Sequence, residues 1–373
     1  MDQVVTRHKR LSGRTMYKFV RRGRASRLAM VIVPFAALGM SVIASLVLFT
    51  LYGKSPALAL HALLLEPFLS WYSFSEVLLK MTPHLLIAQG LAIGFRANVF
   101  NIGAEGQYVM GAIAASALPV FFPKGDSMLM LPAMLLLGAM GGMLWASIAA
   151  GLRTRFNTNE ILVTLMLSLI AIQVLNYLLL GPWKDPKGFN FPQSVMFPDA
   201  AMLPTLIPGT RVSVALLLAG LVTVLAFVMM RYSFSGYKLL VGGLAPRAAS
   251  YAGFSEKRAV WISLLIGGCA AGLAGACEVS GPLGQLQRSI PVGYGYAAII
   301  AAYLGGLNPL GILASAFLMS VIYIGGDNAM VSADLPIAAV RVFQGMLLVF
   351  YLAGFTFIRY RLEFRRGQSV NVA

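Results

Sequence analysis

The chain has 373 residues, of which 58% are hydrophobic and only 11% charged. Ordinary soluble domains are roughly 45–50% apolar and 25% charged, so this chain cannot cover its own surface in water. The net charge of +16 would suit nucleic acid if it were clustered on a domain, but outside a basic tail the cations are scattered between apolar runs. That distribution points to a membrane and away from a nucleic-acid role.

In chain order, the tail 1–27 comes first and carries Arg7, Lys9, Arg10, Arg14, Lys18, Arg21, Arg22, Arg24 and Arg27 against Asp2 alone. The positive-inside rule holds such a segment in the cytoplasm. The uncharged stretch 28–50 that follows exceeds the roughly 20 apolar residues that cross a hydrocarbon core of about 30 Å. It is too long for a cleaved signal core and has no small-residue cleavage site after it, so it is expected to stay as a helix. Further apolar runs predict spans at 77–95, 102–122, 128–152, 161–180, 212–230, 259–277, 292–307, 310–324 and 336–357. With alternating orientation, Arg96, Arg153, Arg155, Arg231, Lys238, Arg247, Lys257, Arg258 and the arginines after residue 358 fall on the tail's side. This expectation is an all-α integral membrane protein of about ten helices with both termini cytoplasmic. It comprises a tail 1–27, a transmembrane domain 28–358 and a second cytoplasmic tail 359–373.

Two connections stand out. The outer stretch 181–210 holds six prolines along with Trp183, Phe189, Phe191 and Phe197, which reads as an ordered cap or docking loop, since flexible linkers rarely hold so many aromatics. The inner loop 231–258 carries a short helical signal, with Pro246 suited to the first helical position and Gly253 to the end.

Polar, glycine-containing stretches break the apolar pattern twice. Residues 95–107, FRANVFNIGAEGQ, place Arg96, Asn98, Asn101, Glu105 and Gln107 between two spans. Broken helix at membrane depth is tolerated only against protein or a wet cavity, and a carboxylate there costs about 2.5–3.5 kcal/mol on insertion scales. Asn101, Glu105 and Gln107 are therefore candidates for a solute path; the alternative is a solvated loop in which Glu105 serves the helix start. Residues 278–294, EVSGPLGQLQRSIPVGY, make the second break and add Glu278 and Gln285 to the candidates. The two breaks follow spans of opposite direction, the arrangement of an inverted repeat around a midplane site. The runs GGLNPLG (305–311) and GGDN (325–328) read as turns.

No GxSxG, HExxH, CxxC or GxxxxGK[ST] occurs, so neither catalysis nor ATP binding is expected in this chain. Cys269 and Cys277 lie about 12 Å apart along one predicted helix, too far for a disulfide. Three histidines without ligand spacing predict no metal site, and His84 reads as a packed or interfacial residue.

At FRANVFNIGAEGQYVMGA the chain resembles permease subunits of ABC importers for nucleosides and simple sugars that use basic membrane lipoproteins as binding proteins. This branch lies within the branched-chain amino acid and ribose permease superfamily. RFNTNEILVTLMLSLIA (155–171), GPWKDPKGFNFPQS (181–194), GYKLLVGGLAPRAASYAGFSEKR (236–258) and PVGYGYAAIIAAYLGGLNPLG (291–311) fit the same family in order. The resemblance implies a type II-like importer in the bacterial inner membrane, with a second permease subunit, a cytoplasmic ABC ATPase that binds the ATP, and an external substrate-binding lipoprotein. It makes 246–251 a coupling helix, in which Ala248, Ala249 and Tyr251 offer a small apolar face and Arg247 a charged rim, with Gly253 ending it. The implied solute is a nucleoside; cousins carry sugars or branched-chain amino acids. An ion-coupled secondary transporter, which Glu105 and Glu278 would suit, and a membrane-embedded enzyme are the rival readings.

Overall fold

The computed structural model describes residues 16–21, 27–188 and 190–365; most of the tail 1–27 and the end of 359–373 lie outside them. A strand β1 (Met16–Arg21) precedes α1 (Arg27–Leu51). Two short helices, α2 (Pro56–Leu64) and α3 (Glu66–Leu69), lead into α4 (Trp71–Arg96). There follow α5 (Ala104–Phe121), α6 (Met130–Phe156), α7 (Glu160–Leu180), α8 (Ala215–Tyr232), α9 (Phe234–Leu244), α10 (Pro246–Tyr251) and α11 (Glu256–Glu278). A wider π-type turn, Val279–Leu283, extends α11 before α12 (Tyr294–Leu304), α13 (Pro309–Ser332), α14 (Ile337–Arg359) and β2 (Tyr360–Arg365).

Each predicted span falls on a helix. Among the described residues six helices are long and apolar enough to cross a membrane: α4, α6, α7, α8, α11 with its π turn, and α13; the apolar stretches Phe35–Leu51, Tyr294–Leu304 and Ala338–Gly354 are shorter. α12, with 11 residues, is only about 16 Å long at 1.5 Å per residue, half a crossing. One expectation needs correction, and two features of the fold were not foreseen. β1 pairs antiparallel with β2, Met16 opposite Arg365 through Arg21 opposite Tyr360; these Tyr- and Phe-containing runs suit strands but were read for charge alone. GGDN is not a turn but part of α13, where Gly325 lets the helix approach the Leu63 carbonyl and Gly326 makes room for Val340. The helices α2 and α3 were not foreseen.

Contacts divide the chain into two units. One comprises Met1–Val47 and Gly345–Ala373, the other Leu48–Gln344. Within the first, β1 lies on β2 and Gly354 approaches Val33. The second holds the candidate site, and α4 is its centre, buried almost throughout from Ser75 to Phe95. A helix enclosed on all sides has no polar face to show water.

Around α4 the usual amphipathic order is reversed. α7 turns Thr164, Ser168 and Ala171 inward and leaves Leu162, Met166, Leu169 and Ile170 exposed. α8 buries Ala215, Ala219, Thr223 and Ala226 while Leu217, Leu221, Val224 and Leu225 face out. Small residues inward and large apolar ones outward is the packing of helices in lipid, where close backbone approach replaces the hydrophobic drive. α6 and α11 carry it furthest: a Cβ on Gly272 would lie 2.2 Å from the Gly138 carbonyl oxygen, and one on Gly142 would lie 2.2 Å from that of Gly268.

The ends of the helices sort as the charges require. Arg153, at the end of α6, pairs with Glu160 of α7 and reaches Glu256 of α11. Arg96, at the end of α4, donates from Nε to the Leu307 carbonyl at the α12–α13 turn (2.9 Å). At the other end of α4, Glu76 takes a bidentate pair from Arg211, 3.0 Å from Nε and 2.5 Å from Nη2.

Candidate functional site

The first break is a loop, 97–103, whose free backbone groups are met by protein. Asn101 and Gln107 pair amide to amide, Nδ2 to Oε1 at 2.8 Å and Nε2 to Oδ1 at 3.1 Å. Asn101 Oδ1 also accepts from the Gly103 N–H (3.0 Å). Two hydroxyls of α7 complete the set: Thr164 accepts from the Ile102 N–H and Ser168 from the Gly106 N–H, each at 3.2 Å. Asn101, Glu105 and Gln107 are all buried. These hydrogen bonds of the break are met by buried protein groups, as a break at membrane depth would need.

Glu105 joins the two breaks. Its Oε1 accepts from the Gly293 N–H (2.8 Å) and its Oε2 from the Gly295 N–H (2.6 Å), so one carboxylate satisfies two orphan donors at the start of α12 and sits at the positive end of its dipole. Glycine is needed at both contacts. Gly293 has φ +99, where other residues are strained, and a Cβ on Gly295 would come 2.3 Å from the Glu105 nitrogen.

The second break is covered by the proline-rich loop 181–210. Ser194 N–H donates to the Leu286 carbonyl and its Oγ accepts from the Leu286 N–H, both at 2.9 Å; Phe197 N–H donates to Gly284 (2.9 Å) and Leu203 N–H to Ser280 (2.6 Å). Gln285 Nε2 donates to Gln193 Oε1 (3.3 Å), which ties this candidate to the cap. Phe191 and Met196 of the cap are exposed. Glu278 lies at the head of the break and pairs with Lys80 of α4 at 3.2 Å.

Lys80 belongs to a cluster that sequence reasoning missed. Its Nζ stands 5.3 Å from the Tyr294 ring centre and 5.9 Å from that of Tyr323. Tyr294 also meets His84 (5.1 Å), Tyr323 (5.4 Å) and Tyr108 (5.8 Å) ring to ring. One signal was available: a lysine inside the apolar span 77–95, which is costly at depth and marks function more often than packing. The tyrosines, coming from three different helices, gave none. Beside the Lys80–Glu278 pair lies a small cleft, with room for about one water, lined by Leu79, Thr82, Pro83, Cys277, Glu278 and Pro282 among others. Cys269 and Cys277 are free, and among the described residues no cluster of three or more His, Cys, Asp or Glu could hold a metal.

The other set of candidates is at the α9–α11 connection. Pro246 opens α10, and Gly253 (φ +76) closes the turn after it. Pro246, Arg247 and Ala248 are exposed, and Tyr251 is 95% exposed. Ala249 faces inward instead, so the outward apolar surface consists of Ala248, Tyr251 and neighbouring Leu244. Phe234, Tyr237 and Phe254 pack around Lys238 at its base.

Residues 73–352 match the family described as Branched-chain amino acid transport system / permease component. The chain is 33% identical to the glucose ABC transporter permease protein TsgB13 of Haloferax volcanii, over 84% of this chain and 86% of that one. It is 29% identical to the guanosine ABC transporter permease protein NupP of Bacillus subtilis, over 88% and 95% respectively. Similarity to the nucleoside ABC transporter permease protein NupB of Lactococcus lactis is 26% over 87% and 91%.

Proposed function

The chain belongs to the family of branched-chain amino acid transport permease components, and on that premise we propose that it is a permease subunit of an ATP-driven importer that moves a nucleoside across the inner membrane. It acts by alternating access with a second permease subunit, a cytoplasmic ATPase that binds the ATP, and an external substrate-binding lipoprotein. In this proposal the chain makes ten crossings or part-crossings with both termini cytoplasmic, α4–α5 and α11–α12 serving as the broken pairs of an inverted repeat. The arginine-bearing ends and α10 face the cytoplasm; the cap, with exposed Phe191 and Met196, faces the lipoprotein.

The observation that carries this reading is α10, a helix with Tyr251 bare on its surface, in a chain without a phosphate-binding loop. Energy has to enter through a surface such as this one, and an exposed tyrosine beside Arg247 and Ala248 suits a groove on an ATPase. Tyr251→Ala combined with Arg247→Glu is expected to lower ATPase copurification in mild detergent at least tenfold and to leave the permease's own Tm unchanged. Undiminished copurification would overturn the assignment.

Asn101, Gln107 and Glu105 act on the path as positioning groups that hold the breaks in shape, while Glu278 borders the small cleft and Gln285 anchors the cap above it. For the solute, the guanosine and nucleoside permeases among the relatives favour a nucleoside. The glucose permease relative favours a sugar as the second reading. Binding of guanosine and of glucose to the purified lipoprotein decides between them.

A further inference from the structure

Two buried side chains at the centre of the larger unit, His84 at Nε2 and Tyr108 at Oη, hold polar atoms without a partner in the fold, and they flank Tyr294, whose hydroxyl has only that of Tyr323 to meet. All three residues are fully buried. An unpartnered buried polar atom is destabilising, and native proteins hold few of them. Here they sit on rings in contact, Tyr294 touching both His84 and Tyr108.

Their chemistry can be specified. His84 Nδ1 lies 2.7 Å from the Lys80 carbonyl, which can only accept, so Nδ1 carries the hydrogen and Nε2 is a bare acceptor. The two phenols can each donate and accept. The cluster therefore offers one acceptor and two adaptable hydroxyls among ring faces and edges. Its charges cancel, because Lys80 is paired with Glu278.

The cluster is also reachable. Lys80 is 18% exposed at its side chain, Tyr323 is half-buried, and Asp327, one turn further along α13, is exposed. The small cleft bordered by Pro83 and Glu278 lies next to it in the chain, at the residue before His84 and at the partner of Lys80. Its walls can give at two places. Pro83 has no N–H, so α4 lacks one helical hydrogen bond there, and the π turn Val279–Leu283 is a second irregular rung.

We infer that this tyrosine–histidine cluster is a contact site for the solute in transit, and that it takes a neutral solute combining a ring with several hydroxyl or amide groups, as a nucleoside or hexose does. A zwitterionic amino acid would bring two charges to a buried place where Lys80 and Glu278 already neutralise each other, and would have to break that pair. The inference rests on the importer reading above.

Tyr108→Phe and Tyr294→Phe test it, because each removes a single hydroxyl oxygen, one without a partner in the fold and one that meets only Tyr323. Both variants are expected to fold, Tyr108→Phe with Tm unchanged or raised and Tyr294→Phe with Tm lowered by no more than a few degrees. The complete importer, with its ATPase and lipoprotein, is reconstituted in vesicles and ATP-dependent uptake of labelled guanosine, glucose and leucine is measured. The expected result is wild-type uptake of guanosine or glucose but not leucine, and a fall of about tenfold in each variant, the size of a lost solute hydrogen bond. A fall of less than about threefold at equal expression overturns the inference and leaves bound water as the partner of these hydroxyls. Wild-type uptake of leucine overturns the solute class. If the wild type takes up none of the three, the solute class and this inference fail; the importer reading fails as well only if the ATPase also does not copurify with the permease.

Discussion

Replacing Glu105 with alanine is expected to abolish uptake and to lower the Tm of the purified permease by several degrees. Two N–H groups, a buried one of Gly295 and a part-buried one of Gly293, would lose their acceptor. Hydrogen bonds to a charged group contribute about 1.5–3 kcal/mol each, so the start of α12 would be destabilised by about 3–6 kcal/mol. Glu105→Gln is the more telling variant. Its one oxygen can serve one N–H, while its NH₂ would face the other N–H donor to donor. Stability should fall between wild type and alanine, and uptake should fall further than the affinity of the lipoprotein for its solute. Thermal unfolding in detergent and uptake at matched expression measure both; normal uptake by Glu105→Gln would show that the link between the breaks is dispensable.

The second large effect is expected at the α6–α11 contact. Gly272→Leu places a side chain where even a Cβ would lie 2.2 Å from the Gly138 carbonyl oxygen and 2.9 Å from Gly142 Cα. The neighbour is backbone and cannot swing aside. Overpacking a tight contact costs about 1–3 kcal/mol when side chains can adjust, and here two helices would have to separate. The variant should fail to give a monodisperse peak in size-exclusion chromatography. Gly220→Leu in α8, where nothing lies within 4 Å of the added Cβ, should elute like wild type, and its failure would mean that any added bulk, not this contact, is responsible.

The parts of this fold that are local in the chain could be read from it. Length and apolarity located a helix for every predicted span, and Pro246 with Gly253 marked both ends of α10 because capping chemistry acts within a few residues. What escaped was pairing at a distance. Glu105 was recognisable as a carboxylate in the wrong solvent, but its partners stand at 293 and 295, and nothing in either stretch names the other. Lys80 likewise finds its carboxylate at 278. Gly325 and Gly326 were misread for the same reason: a glycine pair looks like a turn when the close approach that requires it, to Leu63 and Val340, lies far away in sequence. The terminal strands were missed because their residues had been weighed only as charge.

A permease with no phosphate-binding loop of its own should be unable to concentrate solute alone. The decisive measurement is guanosine and glucose accumulation in vesicles containing the permease pair and lipoprotein, with and without the ATPase and ATP, at zero proton gradient. Accumulation that requires both ATPase and ATP and survives an uncoupler is the predicted result. Accumulation driven by a proton or sodium gradient without the ATPase would contradict the account and assign Glu105 and Glu278 to ion coupling instead.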